Sequence, residues 1–180
     1  MKRIVVFLLS GSLFFTGHHC HGLSNVTNAD SALIENSVKH IFSDPSSPDT
    51  FTIAIYGSSI LKGQVQFTIT DYRGNRIWYD SFPASGLLGY AFDMSPASTE
   101  KMEDYIRQKI AGFFNPDKFL TPAIGKEEKF DPDYSTENIW YEIKANEQST
   151  GFLYNVSGGL QRKIAFSGKR SKTVIYFECC

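Results

Sequence analysis

Between residues 51 and 82 the hydrophobic positions recur at every second residue. Phe51, Ile53 and Ile55 alternate with Thr52 and Ala54, and Val65, Phe67 and Ile69 alternate with Gln66, Thr68 and Thr70. A period of two points side chains to opposite faces, so each run predicts a half-buried strand. Residues 71–75, with Gly74 inside, predict a hairpin loop into a third strand over 76–82, and Pro83 ends that strand. The rest of the chain has to extend or cover this antiparallel sheet.

Two stretches carry a helical period. After Asn28 or Asp30 as cap, Leu33, Ile34, Val38, Ile41 and Phe42 fall on one helical face, and Asp44, Pro45 and Pro48 stop the element. From 98 to 114, Met102, Tyr105, Ile106, Ile110, Phe113 and Phe114 make a stripe. Ser95 or Ser98 caps it, Glu100 and Glu103 suit its positive end, and Asn115-Pro116 ends it. An aromatic stripe at this spacing reads as core. Residues 115–138 hold Pro116, Pro122 and Pro132 and show no period, which predicts a long loop, functional or mobile.

The alternation returns afterwards. Ile139, Tyr141 and Ile143 predict a strand, as do Phe152, Tyr154 and Val156. Ser157-Gly158-Gly159 turns into a strand over 160–166, and a second turn leads to 173–179. There Val174, Ile175, Tyr176 and Phe177 run without a polar break, as in a central strand covered on both faces. Short turns imply antiparallel pairing. The expected fold is α+β, a mainly antiparallel sheet of about six to seven strands with two helices against one face. A β-sandwich with inserted helices is the alternative. Phe67, Ile69, Ile106, Ile110, Ile175 and Phe177 are expected in one core.

The start of the chain bears on where this fold resides. Lys2 and Arg3 precede an apolar run over 4–15, the length of a signal-peptide core and too short to span a bilayer. Residues 1–22 therefore read as a signal peptide, cut between Gly22 and Asn25, and 23–180 as one α+β domain. Lipidation at Cys20 is the minor alternative, because His19 occupies a position that lipoprotein processing wants small. The expected location is exported: periplasmic, cell-surface or secreted. With 180 residues and 21% charged side chains the chain is globular, and a net charge of -1 argues against general nucleic-acid binding. Removing Lys2 and Arg3 lowers that charge by two, to -3.

Candidate chemistry is sparse. Only His40 follows the leader, so a serine or cysteine triad would have one histidine for every proton transfer. His40 is expected on an exposed helical face beside Lys39. No cofactor motif occurs. Asp131, Asp133, Ser135, Glu137 and Glu142 match positions of a calcium-binding loop, but Thr136 stands where its sharp turn needs glycine. A solvated acidic loop is the expected reading. Arg162, Lys163, Lys169, Arg170 and Lys172 crowd one hairpin without an intervening acid, a candidate weak site for an anion. The acidic stretch 127–147 would compete for those cations if it folded over them. Cys179 and Cys180 are expected as reduced or partner-linked thiols, since a bond between neighbours strains the intervening peptide. Asn25-Val26-Thr27 and Asn155-Val156-Ser157 are glycosylation sequons, relevant in a eukaryotic host.

The reading that follows is a non-catalytic exported protein that binds a ligand or supports an envelope assembly. Its partner would be an anionic glycan, a lipid headgroup or an envelope protein, and no cofactor is expected. The alternatives are a carboxylate-based hydrolase and a β-edge module that captures an extended peptide.

Overall fold

The computed structural model describes residues 31–92 and 97–180. The alternating run forms the middle of a four-stranded antiparallel meander, sheet A, made of β1 (Ile34–Asp44), β2 (Ser47–Tyr56), β3 (Gln64–Thr70) and β4 (Arg76–Pro83) in that order. In β2 and β3 the residues Phe51, Ile53, Ile55, Val65, Phe67 and Ile69 are fully buried. The β3–β4 loop closes as expected. Asp71 N–H donates to the Asn75 carbonyl at 2.8 Å, and the Asp71 carboxylate accepts the amides of Arg73 and Asn75. Gly74, at φ 88°, supplies the positive φ that this loop needs.

A second antiparallel sheet, sheet B, runs β5 (Phe119–Leu120), β6 (Gly151–Asn155), β7 (Gln161–Ser167) and β8 (Lys172–Cys179). The fold is α+β, with eight strands in two sheets rather than six to seven in one. Helix α1 (Thr99–Ala111) is capped by Ser98, whose hydroxyl accepts Lys101 N–H at 3.3 Å. The inner faces of both sheets and α1 share a core. Phe51 lies 5.4 Å from Phe152, and Phe67 lies 5.1 Å from Tyr154 and 5.4 Å from Phe113, measured between ring centroids. The outer face of sheet B carries a second core. Ala165, Val174 and Tyr176 pack there against Ala123, Ile124, Trp140 and Ile143. The two helices thus do not share one face of a sheet. No helix among the described residues is long and apolar enough to cross a membrane.

Four expectations need correction. Residues 34–44 are a strand, not a helix. Its inward positions are Ile34, Asn36, Val38 and His40, paired with Ile55, Ile53, Phe51 and Asp49. The two polar inward residues hid the alternation. Asn36 Nδ2 donates to the Ile110 carbonyl at 2.9 Å, so it satisfies the open end of α1. His40 is half-buried and stacks on Phe119 at 3.9 Å rather than sitting exposed on a helix.

Residues 139–143, expected as a strand, lie in helix α2 (Glu137–Lys144). Ile139, Trp140 and Ile143 share its packed face, while Tyr141 stays 53% exposed. Strand β8 is an edge strand, not a central one. Its unbroken apolar run reflects cover on both faces, with Val174 and Tyr176 on the outer core and Ile175 on the inner one, and a bulge adds Phe177 to the outer side. Lys163 pairs with Phe177 but Ile164 pairs with Ile175, so Tyr176 and Phe177 are consecutive residues on the outer side. Phe177 therefore joins the second core, while Ile175 packs against the first. The backbone groups beside the bulge find partners in the 134–135 segment. Glu178 N–H donates to the Tyr134 carbonyl at 2.9 Å, and Ser135 Oγ donates to the Tyr176 carbonyl at 2.9 Å. Last, Cys179 and Cys180 are joined as a disulfide. Cys180, at φ 65°, has left the extended backbone, so the alternation that would point the two side chains apart ends there.

The expected loop 115–138 holds a 3-10 turn, Pro116–Lys118, and the short β5, and it supplies Ala123 and Ile124 to the second core. The expected signal peptide and Cys20 lie outside the described residues.

Candidate functional site

Two glycines bring together the turns that rim the main concavity. The 3-10 turn Ala84–Leu88 follows β4, and another, Ser157–Gly159, follows β6. A methyl group on Gly86 would lie 2.7 Å from the Ser157 Cα, so only glycine allows this approach. Gly159, at φ 81°, lies under the Tyr90 ring, whose Cε2 would be 3.3 Å from an added methyl. Tyr90 itself is 74% exposed.

Between these turns and α1 lies a cleft of about 650 Å³. That is within the range of small-molecule sites, about 300–1,000 Å³. Leu87, Phe113, Tyr154 and Val156 give it an apolar floor. One stripe of α1 forms a wall. Tyr105, Gln108, Lys109 and Gly112 follow the i, i+3, i+4, i+7 spacing of a single helical face, while Ile106 and Ile110 turn to the core. Asn115, Asp117 and Lys118, which follow α1, also line it, as does Asn155 of β6. This asparagine begins the second sequon.

The polar groups of this cleft are largely uncommitted. Among the described residues, the side-chain amides of Gln108 and Asn115 make no hydrogen bond, and Asn155 only accepts a long one from Gln161 at 3.5 Å. Lys109 Nζ sits 5.0 Å from the Tyr105 ring centroid and has no carboxylate within 4.0 Å among those residues. Lys118 is 3.7 Å from the Asp117 carboxylate. The described lining contains no Ser, Thr, Cys, His or Arg and a single carboxylate. It offers hydrogen bonding, stacking and one cation, but not the paired carboxylates that acid–base hydrolysis uses.

Behind the floor, a charged cluster ties the two sheets together. Tyr154 Oη donates to Asp80 Oδ2 at 2.7 Å, and Arg162 Nη1 donates to the same oxygen at 2.6 Å. Arg162 Nε also donates to Glu178. Burial and then the Asp80 charge push the Tyr154 phenol far above its usual range. Burial alone would lower the Arg162 guanidinium, but Glu178 and Asp80 outweigh it and the net shift is upward.

The five hairpin cations singled out from the sequence do not act as one patch. Arg162 faces the interior and is held by Asp80 and Glu178. Lys163 lies 3.4 Å from Glu128, and Arg170 lies 3.4 Å from Glu142. Lys169 and Lys172 remain exposed at the β7–β8 turn. The acidic segment does fold over the hairpin. Glu142 also accepts the Ser167 hydroxyl, so α2 is tied to the turn after β7.

The five calcium-loop candidates are dispersed as well. Asp131 accepts Asp133 N–H at 2.9 Å in a turn, Ser135 is bonded to β8, and Glu137 and Glu142 lie on α2. Among the described residues no three His, Cys, Asp or Glu side chains gather as metal ligands.

The cleft was not evident from the sequence. Tyr105 read only as core, Asn155 only as the start of a sequon, and Gln108 and Lys109 carried no reading of their own. The available signal was the second stripe of α1, a Tyr-Gln-Lys-Gly set at helical spacing beside the apolar one. Comparison of the chain with protein families, curated proteins and solved structures gave no match.

Proposed function

We propose that this chain is an exported, non-catalytic binding protein that holds a small ligand in the cleft between α1, β6 and the two glycine-rimmed turns. One observation carries the reading. A concavity of about 650 Å³ combines an apolar floor with hydrogen-bonding amides that have no protein partner among the described residues. Polar groups held without partners beside an apolar surface are what a ligand site offers before it is filled. The described lining supplies no nucleophile with a base, and recognition is the chemistry it supports best. Export rests on the leader-like residues 1–22, with Lys2 and Arg3 before the apolar run.

Native mass spectrometry against sugars, amino acids, nucleosides and short fatty acids tests the cleft. At least one class should bind one-to-one, and Asn155→Trp, which fills the cleft from an exposed position, should abolish it. Failure of every class, or binding that Asn155→Trp leaves intact, overturns the reading. The exported chain should begin between Leu23 and Asn25. A lipid on Cys20 would replace free export with anchoring.

A further inference from the structure

We infer that the ligand of this cleft is a short acidic saccharide, a deduction that rests on the binding reading above. Gln108, Asn115 and Asn155 each present an amide, which donates and accepts at once. A sugar hydroxyl does the same, so an amide can meet a pair of neighbouring hydroxyls with both of its functions used. A fatty chain would desolvate the Gln108 and Asn115 amides with no partner, and Asn155 with only its long bond from Gln161, at a cost for each. A phosphate would call for guanidinium groups or converging backbone amides, and the described lining holds no arginine.

The apolar parts agree. The Tyr90 ring covers Gly159 on one side, and the residue is 74% exposed. A pyranose has a face of C–H bonds that packs on such a ring, as apolar surface does on any aromatic plane. The acidic group follows from the charges. Asp117 lies beside Lys118, whereas Lys109 has no carboxylate within 4.0 Å among the described residues and sits 5.0 Å from the Tyr105 ring centroid. A uronic carboxylate on the sugar would meet Lys109, while the amides hold the ring hydroxyls.

Titration calorimetry of the purified protein with digalacturonic acid, cellobiose and octanoate separates the possibilities. Digalacturonic acid should bind best, and Lys109→Met should weaken it about tenfold while leaving cellobiose unchanged. Gln108→Ala and Asn115→Ala should weaken both sugars. All three residues are exposed, so the unfolding midpoint should not move. Equal affinity for the two sugars, or indifference to Lys109→Met, overturns the acidic assignment. Binding of octanoate without either sugar overturns the saccharide class yet leaves the cleft as a binding site. No binding by any small-molecule class in the native mass spectra removes the underlying reading itself.

Discussion

Asp80 receives two donors on one oxygen, Tyr154 from β6 and Arg162 from β7, and its own strand belongs to the other sheet. Asp80→Asn removes the charge but keeps the shape. It should cost roughly 2 kcal/mol, less than a fully stranded buried charge, because Glu178 still holds Arg162. Urea unfolding measures it, and a loss below a few tenths would show the cluster to be solvated. The same site makes stability depend on alkaline pH. Burial and Asp80 raise the Tyr154 phenol, and burial followed by Glu128 raises Tyr176. Both favour the neutral phenol in the folded state. Stability is therefore complete below the unfolded value of about 10 and falls as pH rises beyond it. Phenolate absorbance followed beside circular dichroism checks this. Ionisation of all nine tyrosines before secondary structure is lost would contradict it. None of these pairings was legible in the chain, since Asp80 and Arg162 are 82 residues apart.

Elements with one apolar face were read correctly where the pattern was clean. Strands β2, β3 and β4, helix α1 and strands β6 to β8 all lie close to where the periodicity places them. The failures have physical causes. In β1, Asn36 and His40 occupy inward positions for a helix end and an aromatic stack, so polar residues interrupt the alternation. In α2 the stretch is short enough for both periods to fit. Ile139, Tyr141 and Ile143 suit a strand, and Trp140 settles the matter because it is 4% exposed and a strand would turn it outward. Glu137 at the first turn and Lys144 at the last then suit the helix dipole. Trp140→Ala should cost about 3–5 kcal/mol, as large aromatic deletions in a core do. A thermal midpoint unchanged by that substitution would place α2 outside the folded core.

At the scale of the molecule, sheet B lies between two cores while sheet A has one. Ile110 is 1% exposed in the core that both sheets and α1 share. Ile110→Asp should therefore cost several kcal/mol, because it buries a charge with no cation beside it. A folded variant with an unaltered midpoint would rule out this packing. The sequence anticipated α+β architecture and antiparallel pairing, but not the division into two sheets. That division arises because no strand of β1 to β4 pairs with one of β5 to β8, and the two strands the pattern missed are edge strands: β1, disguised by polar inward residues, and β5, two residues long. The candidate site was hidden for a related reason. Its walls come from β6, α1 and two turns, and its rim needs glycines whose role shows only when the turns meet.

The side of sheet A that no other described element covers has its own bearing on how freely the chain can change. Glu35, Ser37, Lys39, Thr52, Gln66, Thr68 and Tyr79 point away from the core and are exposed or half-exposed. Among the described residues, substitutions there meet only neighbouring strand positions, so this face should tolerate drift in sequence or a grafted epitope. The outward residues of β7 and β8 have no such freedom, because Trp140 and Ile143 lie over them. Mutational tolerance should therefore differ between the two sheets by strand parity, with every second position permissive in β3 and, apart from the buried Ala54, in β2, and both parities constrained in β7.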